Sequence, residues 1–174
     1  MGANLYKLLG KKTRIESSDK TKDKPDLSGQ HNEKFDVILD SEENNIEELE
    51  SNFNKESFLE GAKKAFKIIV KSYKDNNIQS VESLLAPEVF KAFKEQSEDQ
   101  DSKSKSFEIT ELKASIISTE ITRKVAKIKV LFESSQKNIF DKKQVTQNTK
   151  DVWAFEKIVG TNNPNWILAE VTEE

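Results

Sequence analysis

The chain has 174 residues, of which 34% are hydrophobic and 34% charged, with a formal charge of −3 and a mean hydropathy of −0.73. This length suits one ordinary domain and a tail, and the low hydropathy predicts that part of the chain does not fold. The lack of cysteine excludes disulfides and thiolate sites, the single histidine excludes a histidine metal cluster, and the negative charge does not favour nucleic-acid binding.

The N-terminal quarter differs from the rest in its charge. Residues 1–24 carry a net charge of +4, residues 25–50 carry −8, and residues 51–174 carry +1. Blocks of opposite charge with few large apolar residues are typical of solvated, disordered chain. We therefore predict a charged, flexible tail or linker over residues 1–44 and one folded domain over residues 45–174.

The first ten residues contain a short apolar cluster, and Lys11 and Lys12 follow it directly. A secretory signal has the opposite order, with charge first and a longer apolar stretch after it. Apolar residues followed by basic ones are typical of the cytoplasmic flank of a membrane segment. Two interpretations stay open, the flank of an anchor and a disordered terminus.

Helical spacing begins at Ile46, Leu49 and Phe53, which lie at i, i+3 and i+7. A long amphipathic helix is predicted over residues 55–74, with the Asn54 side chain as its N-cap. Its predicted end is the polar turn at residues 75–77, because asparagine and aspartate favour turns.

Two shorter helices and four strands follow. A second helix is predicted over residues 78–85, and a third begins at Pro87, which suits a first helical turn. Beyond residue 105 the apolar period changes from 3.6 to 2. The predicted strands cover residues 107–116, with a bulge at residues 110–111, and residues 126–132, 144–159 and 166–171. Helices followed by hairpin-linked strands predict an α+β fold with an antiparallel sheet, one face of which the helix over residues 55–74 covers.

Four strings of the sequence resemble the signature segments of one known domain. They are residues 58–66 (FLEGAKKAF), 84–93 (LLAPEVFKAF), 151–156 (DVWAFE) and 163–168 (NPNWIL). Together they resemble the C-terminal domain of the forty-four-kilodalton subunit of the mitochondrial inner-membrane translocase and its α-proteobacterial relatives. The resemblance covers residues 45–174 in the family's order.

This resemblance implies a cone-shaped fold related to nuclear transport factor two, with three helices packed on a curved four-stranded antiparallel sheet. It also implies a non-enzymatic role as a membrane-associated tether that binds proteins of the translocase or chaperone-like kind. Anionic lipid is a further implied partner, whereas nucleic acid and cofactors are not. The alternatives are a small-molecule or lipid carrier that uses the cone as a cavity and, less favoured, a ribosome-docking module.

The same resemblance implies a location at the inner membrane. Bacterial relatives begin with a membrane-anchoring helix and a charged linker, so an anchor upstream of residue 1 is expected. Because the chain has no arginine-rich, acid-poor presequence, we expect a bacterial inner membrane, with the cytoplasmic face favoured over the periplasmic one. In a eukaryote the expectation is the matrix side of the mitochondrial inner membrane.

Residues for catalysis are sparse in the sequence. His31 lies in the charged tail, where a solvated histidine is expected. Asp151 and Glu156 are five apart on a predicted strand and so point to opposite faces. Gly61 stands alone within a helix, where it is expected to let another element approach closely rather than bind phosphate. These features predict that the protein is not an enzyme.

An apolar surface remains as a candidate binding site. The face of the long helix and the aromatic residues of the last two strands either enclose a groove or pack as a filled core, and close packing is the commoner arrangement. Tyr73 is expected in the core with its hydroxyl at the rim. The groove candidates are Phe58, Phe66, Ile69, Tyr73, Trp153, Phe155 and Trp166.

A basic stripe on the same helix is a candidate for anionic lipid. Lys63, Lys67 and Lys71 form this stripe, although a solvated helix face is the commoner explanation of such lysines. The preceding residues 44–51 are acidic, which weakens the lipid interpretation.

The charge blocks lead to a first prediction, that residues 1–44 are dispensable for folding. The full chain and a chain of residues 45–174 should have equal melting temperatures, because a solvated tail adds no packing. Circular dichroism during heating tests this, and a drop of more than a few degrees on truncation would show that the tail packs on the domain.

Overall fold

The computed structural model describes residues 53–98 and 105–173. The predicted tail over residues 1–44, His31 within it, and the helical spacing at Ile46 and Leu49 lie outside these ranges. The elements, in chain order, are helix α1 (Lys55–Lys74), a 3-10 helix (Ile78–Leu84), helix α2 (Pro87–Glu98), and strands β1 (Ser106–Thr122), β2 (Val125–Ile139), β3 (Gln144–Ile158) and β4 (Ile167–Glu173).

Helix α1 begins and ends where the sequence predicts. The side chain of Asn54 accepts a hydrogen bond from the Ser57 amide at 2.9 Å, which satisfies one of the free amides of the first turn. Its end is the Asp75 cap, whose amide donates to the Lys71 carbonyl at 2.9 Å. The predicted cap residue and both predicted ends are confirmed.

The four strands form one antiparallel sheet in the order β1-β2-β3-β4. The predicted bulge between Ile109 and Glu111 is confirmed, and a second irregularity lies between Ile116 and Ser118. Each bulge shifts the alternation of side chains by one residue, so Ile117 points away from the helices and is 49% exposed. The three helices packed on this sheet make the α+β, cone-like fold that the sequence predicts.

The core lies between α1 and the sheet. Phe66 of α1 is fully buried, and its ring lies 4.6 Å from that of Phe132 and 4.7 Å from that of Trp153, centroid to centroid. Tyr73 lies two turns further along α1 on the same face and packs on Phe93 of α2, with 5.8 Å between the ring centroids. The whole Tyr73 side chain is buried, so the expectation of a hydroxyl at the rim is wrong.

The opposite face of the sheet is solvated and carries ion pairs. Lys127 of β2 lies 3.1 Å from Glu170 and 3.7 Å from Glu156, which links three strands. Partial burial acts to lower the pKa of Lys127, but the hydrogen bond to Glu170 and the acidic neighbours outweigh it and raise the pKa. Because the outer face of the sheet is polar, the hydrophobic core lies on the face that the helices cover.

The aromatic contacts lead to a stability prediction. Trp153→Ala should lower the free energy of unfolding by roughly 3–5 kcal/mol, because it removes a fully buried ring from a packed core. Urea denaturation measures this value, with Ile117→Ala on the solvated face as a control that should change it little. A Trp153→Ala protein as stable as the wild type would contradict the placement of this ring in the core.

Candidate binding groove

A groove opens beside the first half of α1, where the helix passes the loop between β3 and β4. Its cavity volume is about 630 Å³. One wall is the α1 surface around Gly61 and Ala65, Leu84 of the 3-10 helix contributes a further apolar side chain, and residues 161–165 of the loop form the polar rim. The Ala86 amide donates to the Leu168 carbonyl at 2.8 Å, which fixes the segment after Leu84 against β4.

Four aromatic side chains line the groove: Phe53, Phe58, Phe155 and Trp166. The Phe58 ring lies 5.0 Å from the Trp166 ring and 6.0 Å from the Phe155 ring, both edge-on. The Phe53 ring lies 5.8 Å from the Phe58 ring in a tilted contact and 6.2 Å from the Trp166 ring edge-on. These ring contacts hold the cluster in place while one of its sides stays open.

Gly61 defines the open side of this groove. A methyl group placed on Gly61 would meet no atom within 4 Å, so the expectation that another element approaches it closely is wrong. The glycine is exposed and leaves room above the aromatic cluster. Nothing in the sequence distinguishes a glycine with open space beside it from a glycine against which another element packs.

The loop that forms the polar rim is held by its own side chains. The Asn163 side chain accepts from the Asn165 amide at 3.0 Å, and the Thr161 hydroxyl donates to the Ile158 carbonyl at 3.0 Å. Gly160 starts the loop with a φ of 75°, a conformation that glycine adopts freely. The side chain of Lys157 lies 5.9 Å from the centre of the Trp166 ring at the rim.

The predicted groove residues separate into two groups in the structure. Phe58, Phe155 and Trp166 line the groove, and of these Phe58 and Phe155 are also buried in the core. The other four are buried in the core and do not line the groove: Phe66, Ile69, Tyr73 and Trp153. The groove also contains residues that the sequence reasoning did not select: Phe53, Gly61, Ala65, Leu84 and the loop at residues 161–165.

The candidate lipid stripe lies on α1, away from the groove lining. Lys63 is half-buried, whereas Lys67 and Lys71 are exposed. Lys71 forms a salt bridge of 2.5 Å with Asp75, one turn further along. A contact of these lysines with lipid stays a prediction.

A buried polar row on the core-facing side of the sheet is a second unusual feature. The Gln136 side chain donates to the Ser134 hydroxyl at 3.0 Å, the Ser134 and Thr149 hydroxyls are 2.8 Å apart, and Thr149 donates to Asp151 at 3.2 Å. Asp151 is only 1% exposed, and its second oxygen has no hydrogen-bond partner among the described residues. Burial, together with the nearby Glu173 carboxylate, raises the pKa of Asp151 to about 7.

The sequence contained a signal for this row that the sequence analysis did not use. Positions 126, 128, 130 and 132 of β2 carry inward apolar side chains, and the same alternation continues through Ser134 and Gln136. Asp151 and Glu156 do not form a catalytic pair, because Asp151 faces the core and Glu156 lies near Lys127 on the other face.

Some structural features of membrane and metalloproteins are absent from the described ranges. Neither α1 nor another helix within residues 53–98 and 105–173 is long and apolar enough to cross a membrane. In the same ranges, the acidic side chains form no group of three that suits a metal ion.

The fold and the groove define a cone-shaped α+β domain of the nuclear-transport-factor-two-like type. The family model of the Tim44-like domain matches residues 40–173, and the chain belongs to this family. A comparison with curated proteins found no match. Family membership indicates a membrane-associated role in protein interaction, related to protein translocation.

The buried carboxyl group of Asp151 leads to a pH prediction. Its pKa is higher in the folded chain, about 7, than its ordinary value of 3.8, so the folded state holds an extra proton between these values. Stability should therefore fall as the pH rises from about 4 to about 7, by up to roughly 4 kcal/mol from this group, and stay level above.

Replacing the carboxyl group by an amide isolates this contribution. Asp151→Asn should be more stable than the wild type at pH 8 and lose the advantage near pH 4, whereas Glu108→Gln, the same exchange at an exposed site, should show no such trend. Urea denaturation between pH 4 and 8 measures both. A constant difference between wild type and Asp151→Asn across this range would contradict a titrating Asp151.

Proposed function

We propose that the chain is a non-enzymatic tethering domain at the inner-membrane surface whose groove binds an apolar segment of a protein partner. The observation that carries this proposal is the cluster of Phe53, Phe58 and Trp166. The rings contact one another, and the space beside Gly61, next to the cluster, is empty. Partly exposed aromatic rings, here Phe53 and Trp166, beside a loop held by its own hydrogen bonds are typical of recognition sites. Family membership supports partners of the translocase or chaperone-like kind.

The polar rim favours a peptide over a purely apolar ligand. Asn162, Asn163 and Asn165 place side-chain amides along one edge of the groove. Such amides donate and accept, and so they match the alternating carbonyl and amide groups of a peptide backbone. The aromatic floor then receives the apolar side chains of the same segment.

The charge of the groove supports a role without catalysis. Among the described residues that line the groove, Lys157 is the ionisable one. General acid–base catalysis uses one group that gives a proton and another that takes it, and this lining offers no such pair. Asp151, whose pKa is raised, is buried in the core with Trp153 and does not line the groove. The groove thus has the chemistry of a binding surface.

A lipid or small-molecule carrier is the second candidate. A volume of about 630 Å³ falls within the range of small-molecule sites, which is roughly 300–1,000 Å³. The open side at Gly61 and the amide rim favour the peptide, because a carrier usually encloses its ligand.

Filling the groove at Gly61 tests the proposal and separates the two candidates. Gly61→Leu places a side chain in open space and improves helix propensity, so the variant should fold. The probes are an array of short peptides that combine aromatic and aliphatic side chains, and oleate. Because Trp153 is buried, changes in tryptophan fluorescence report on Trp166.

The peptides should bind the full chain, and Gly61→Leu should weaken binding at least severalfold. Lys67→Leu, which adds the same side chain to another part of α1, should bind as the wild type does. Saturable binding of oleate that Gly61→Leu abolishes, without peptide binding, would support the carrier instead. Binding of neither probe would contradict both candidates.

For the membrane, we propose that an upstream anchor attaches the protein and that residues 1–44 act as a leash, a flexible linker between the anchor and the domain. An unfolded leash of this length lets the domain move about 35 Å from the bilayer. Intrinsic lipid affinity should be weak, because residues 25–50 are acidic and each exposed lysine contributes only about 1 kcal/mol at an anionic surface.

Sedimentation with cardiolipin-containing liposomes measures this affinity. Little binding at physiological salt is the expected result. Strong binding that the combined substitutions Lys63→Glu, Lys67→Glu and Lys71→Glu abolish would contradict the leash and show a lipid-binding face on α1.

A further inference from the structure

The end of the sheet that lies farthest from the groove is the hairpin of β2 and β3. The loop at the rim of the groove follows Ile158, the last residue of β3, whereas β3 begins at Gln144 directly after the hairpin turn. The strand has 15 residues, so its ends are about 45 Å apart at roughly 3.3 Å per residue. The hairpin and the groove are therefore separate surfaces.

The tip of this hairpin is a tight turn with a hydrogen-bonded backbone. The Phe140 amide donates to the Lys143 carbonyl at 2.8 Å, and the Lys143 amide donates to the Phe140 carbonyl at 3.4 Å. The Lys105 amide donates to the Ile139 carbonyl at 2.8 Å, which joins the start of β1 to the same end. Because these backbone groups have partners within the chain, the tip leaves water at a smaller cost than an irregular loop does.

Apolar side chains are exposed on both faces of this tip. Ile139 is 37% exposed, Val145 is 36% exposed, and Phe140 is partly exposed in the turn. Val145 lies opposite Asn138, the neighbour of Ile139, so the two aliphatic side chains point to opposite faces of the ribbon. Residues 144–148 of β3 are all exposed, so the described helices cover neither face of the strand here. The tip thus projects from the domain with apolar side chains at its end.

The charge of this end is positive. Four lysines stand against two acidic residues: Lys105, Lys137, Lys142 and Lys143 against Glu108 and Asp141. Asp141 forms a salt bridge with Lys105, which balances its charge within the tip. Lys142 and Lys143 are exposed in the turn itself. Lysines around exposed apolar side chains match a surface that is anionic outside and apolar inside.

We propose that the hairpin tip, residues 139–145, is a contact site for an anionic membrane, with its apolar side chains in the interfacial layer and its lysines at the anionic headgroups. A fluid bilayer suits this tip better than an acidic protein does, because the apolar side chains project from both faces of a narrow ribbon and form no single flat surface. The membrane association of the family supports the same occupant. The contact turns the groove away from the bilayer, and only this orienting role rests on the proposed function.

The contact is small, so it orients the domain and does not attach it. Three apolar side chains and a few lysines give a weak affinity, which salt screens further. The proposed leash raises the local concentration of the tip at the bilayer, so a weak affinity is enough. The contact is therefore measured at low ionic strength when the chain is not anchored.

Tryptophan reporters at opposite ends of the sheet locate the contact. Ile139→Trp places a reporter at the tip, and Ile158→Trp is the matched control, an exposed isoleucine at the groove end of β3. The full chain is mixed with phosphatidylglycerol liposomes that carry bromine on their acyl chains, and the quenching of the wild-type protein is subtracted. Quenching should be severalfold stronger for Ile139→Trp. Equal quenching at both positions, or none at position 139, would overturn the proposal.

Charge variants test the lysines of the turn. Lys142→Glu with Lys143→Glu should lower sedimentation with the same liposomes severalfold. Lys64→Glu with Lys67→Glu, an equal charge change at exposed positions of α1, should lower it less. A larger loss from the α1 pair would overturn the proposal in favour of a lipid face on α1. Sedimentation that depends on the turn lysines without quenching at position 139 would overturn it in favour of a purely electrostatic contact, which an acidic protein would also make.

Peptide binding separates this proposal from the function of the groove. The variant with Lys142→Glu and Lys143→Glu should bind the peptides as the wild type does, because the tip and the groove lie at opposite ends of β3. A tip that inserts, in a protein that binds none of the peptides, would support the hairpin contact and contradict the proposed function. A tip that does not insert, in a protein that binds the peptides, would overturn the hairpin contact alone.

Discussion

The packing of Phe66 against Phe132 and Trp153 is the contact on which the rest of the structure depends. It places the middle of the longest helix on the two central strands, with all three rings buried. Once α1 is fixed there, its direction decides what happens at either end. Its last turns pack on α2 through Tyr73, and its first turns bury Phe58 in the core and also border the groove. The groove thus lies where the first turns of this helix face the loop at residues 161–165.

Much of this architecture follows from local patterns, and the departures have physical reasons. The bounds of α1 follow from a cap and a continuous apolar face, both of which are local. The segment predicted as a second helix is a 3-10 helix, and its apolar residues Ile78, Val81 and Leu84 already have the three-residue period of that helix. The second bulge of β1 was not predicted, because Ile116 and Ile117 are both apolar and only the sheet register decides which of them faces inward.

The division between groove and core was less accessible to sequence reasoning. Phe58 and Phe66 lie on the same face of α1, and no local feature tells which of them meets a filled interior. That depends on the position of the loop at residues 161–165, which leaves Phe58 beside a cavity. The burial of Asp151 depends likewise on neighbouring strands, because a lone carboxylate in a strand reads as a solvent-facing residue until its partners are known.

The two edges of the sheet differ in a way that affects how densely the domain can be crowded. On β4, Leu85 forms a parallel bridge with Leu168, so part of this edge is occupied by the chain itself. On β1, the other edge, two bulges and the side chains of Glu111, Lys113 and Glu120 interrupt the flat, apolar outline that a foreign strand needs. Copies of this domain that meet at high concentration can then collide without joining their sheets into fibres. Under such conditions, resistance to this kind of aggregation is as important as the strength of any single contact.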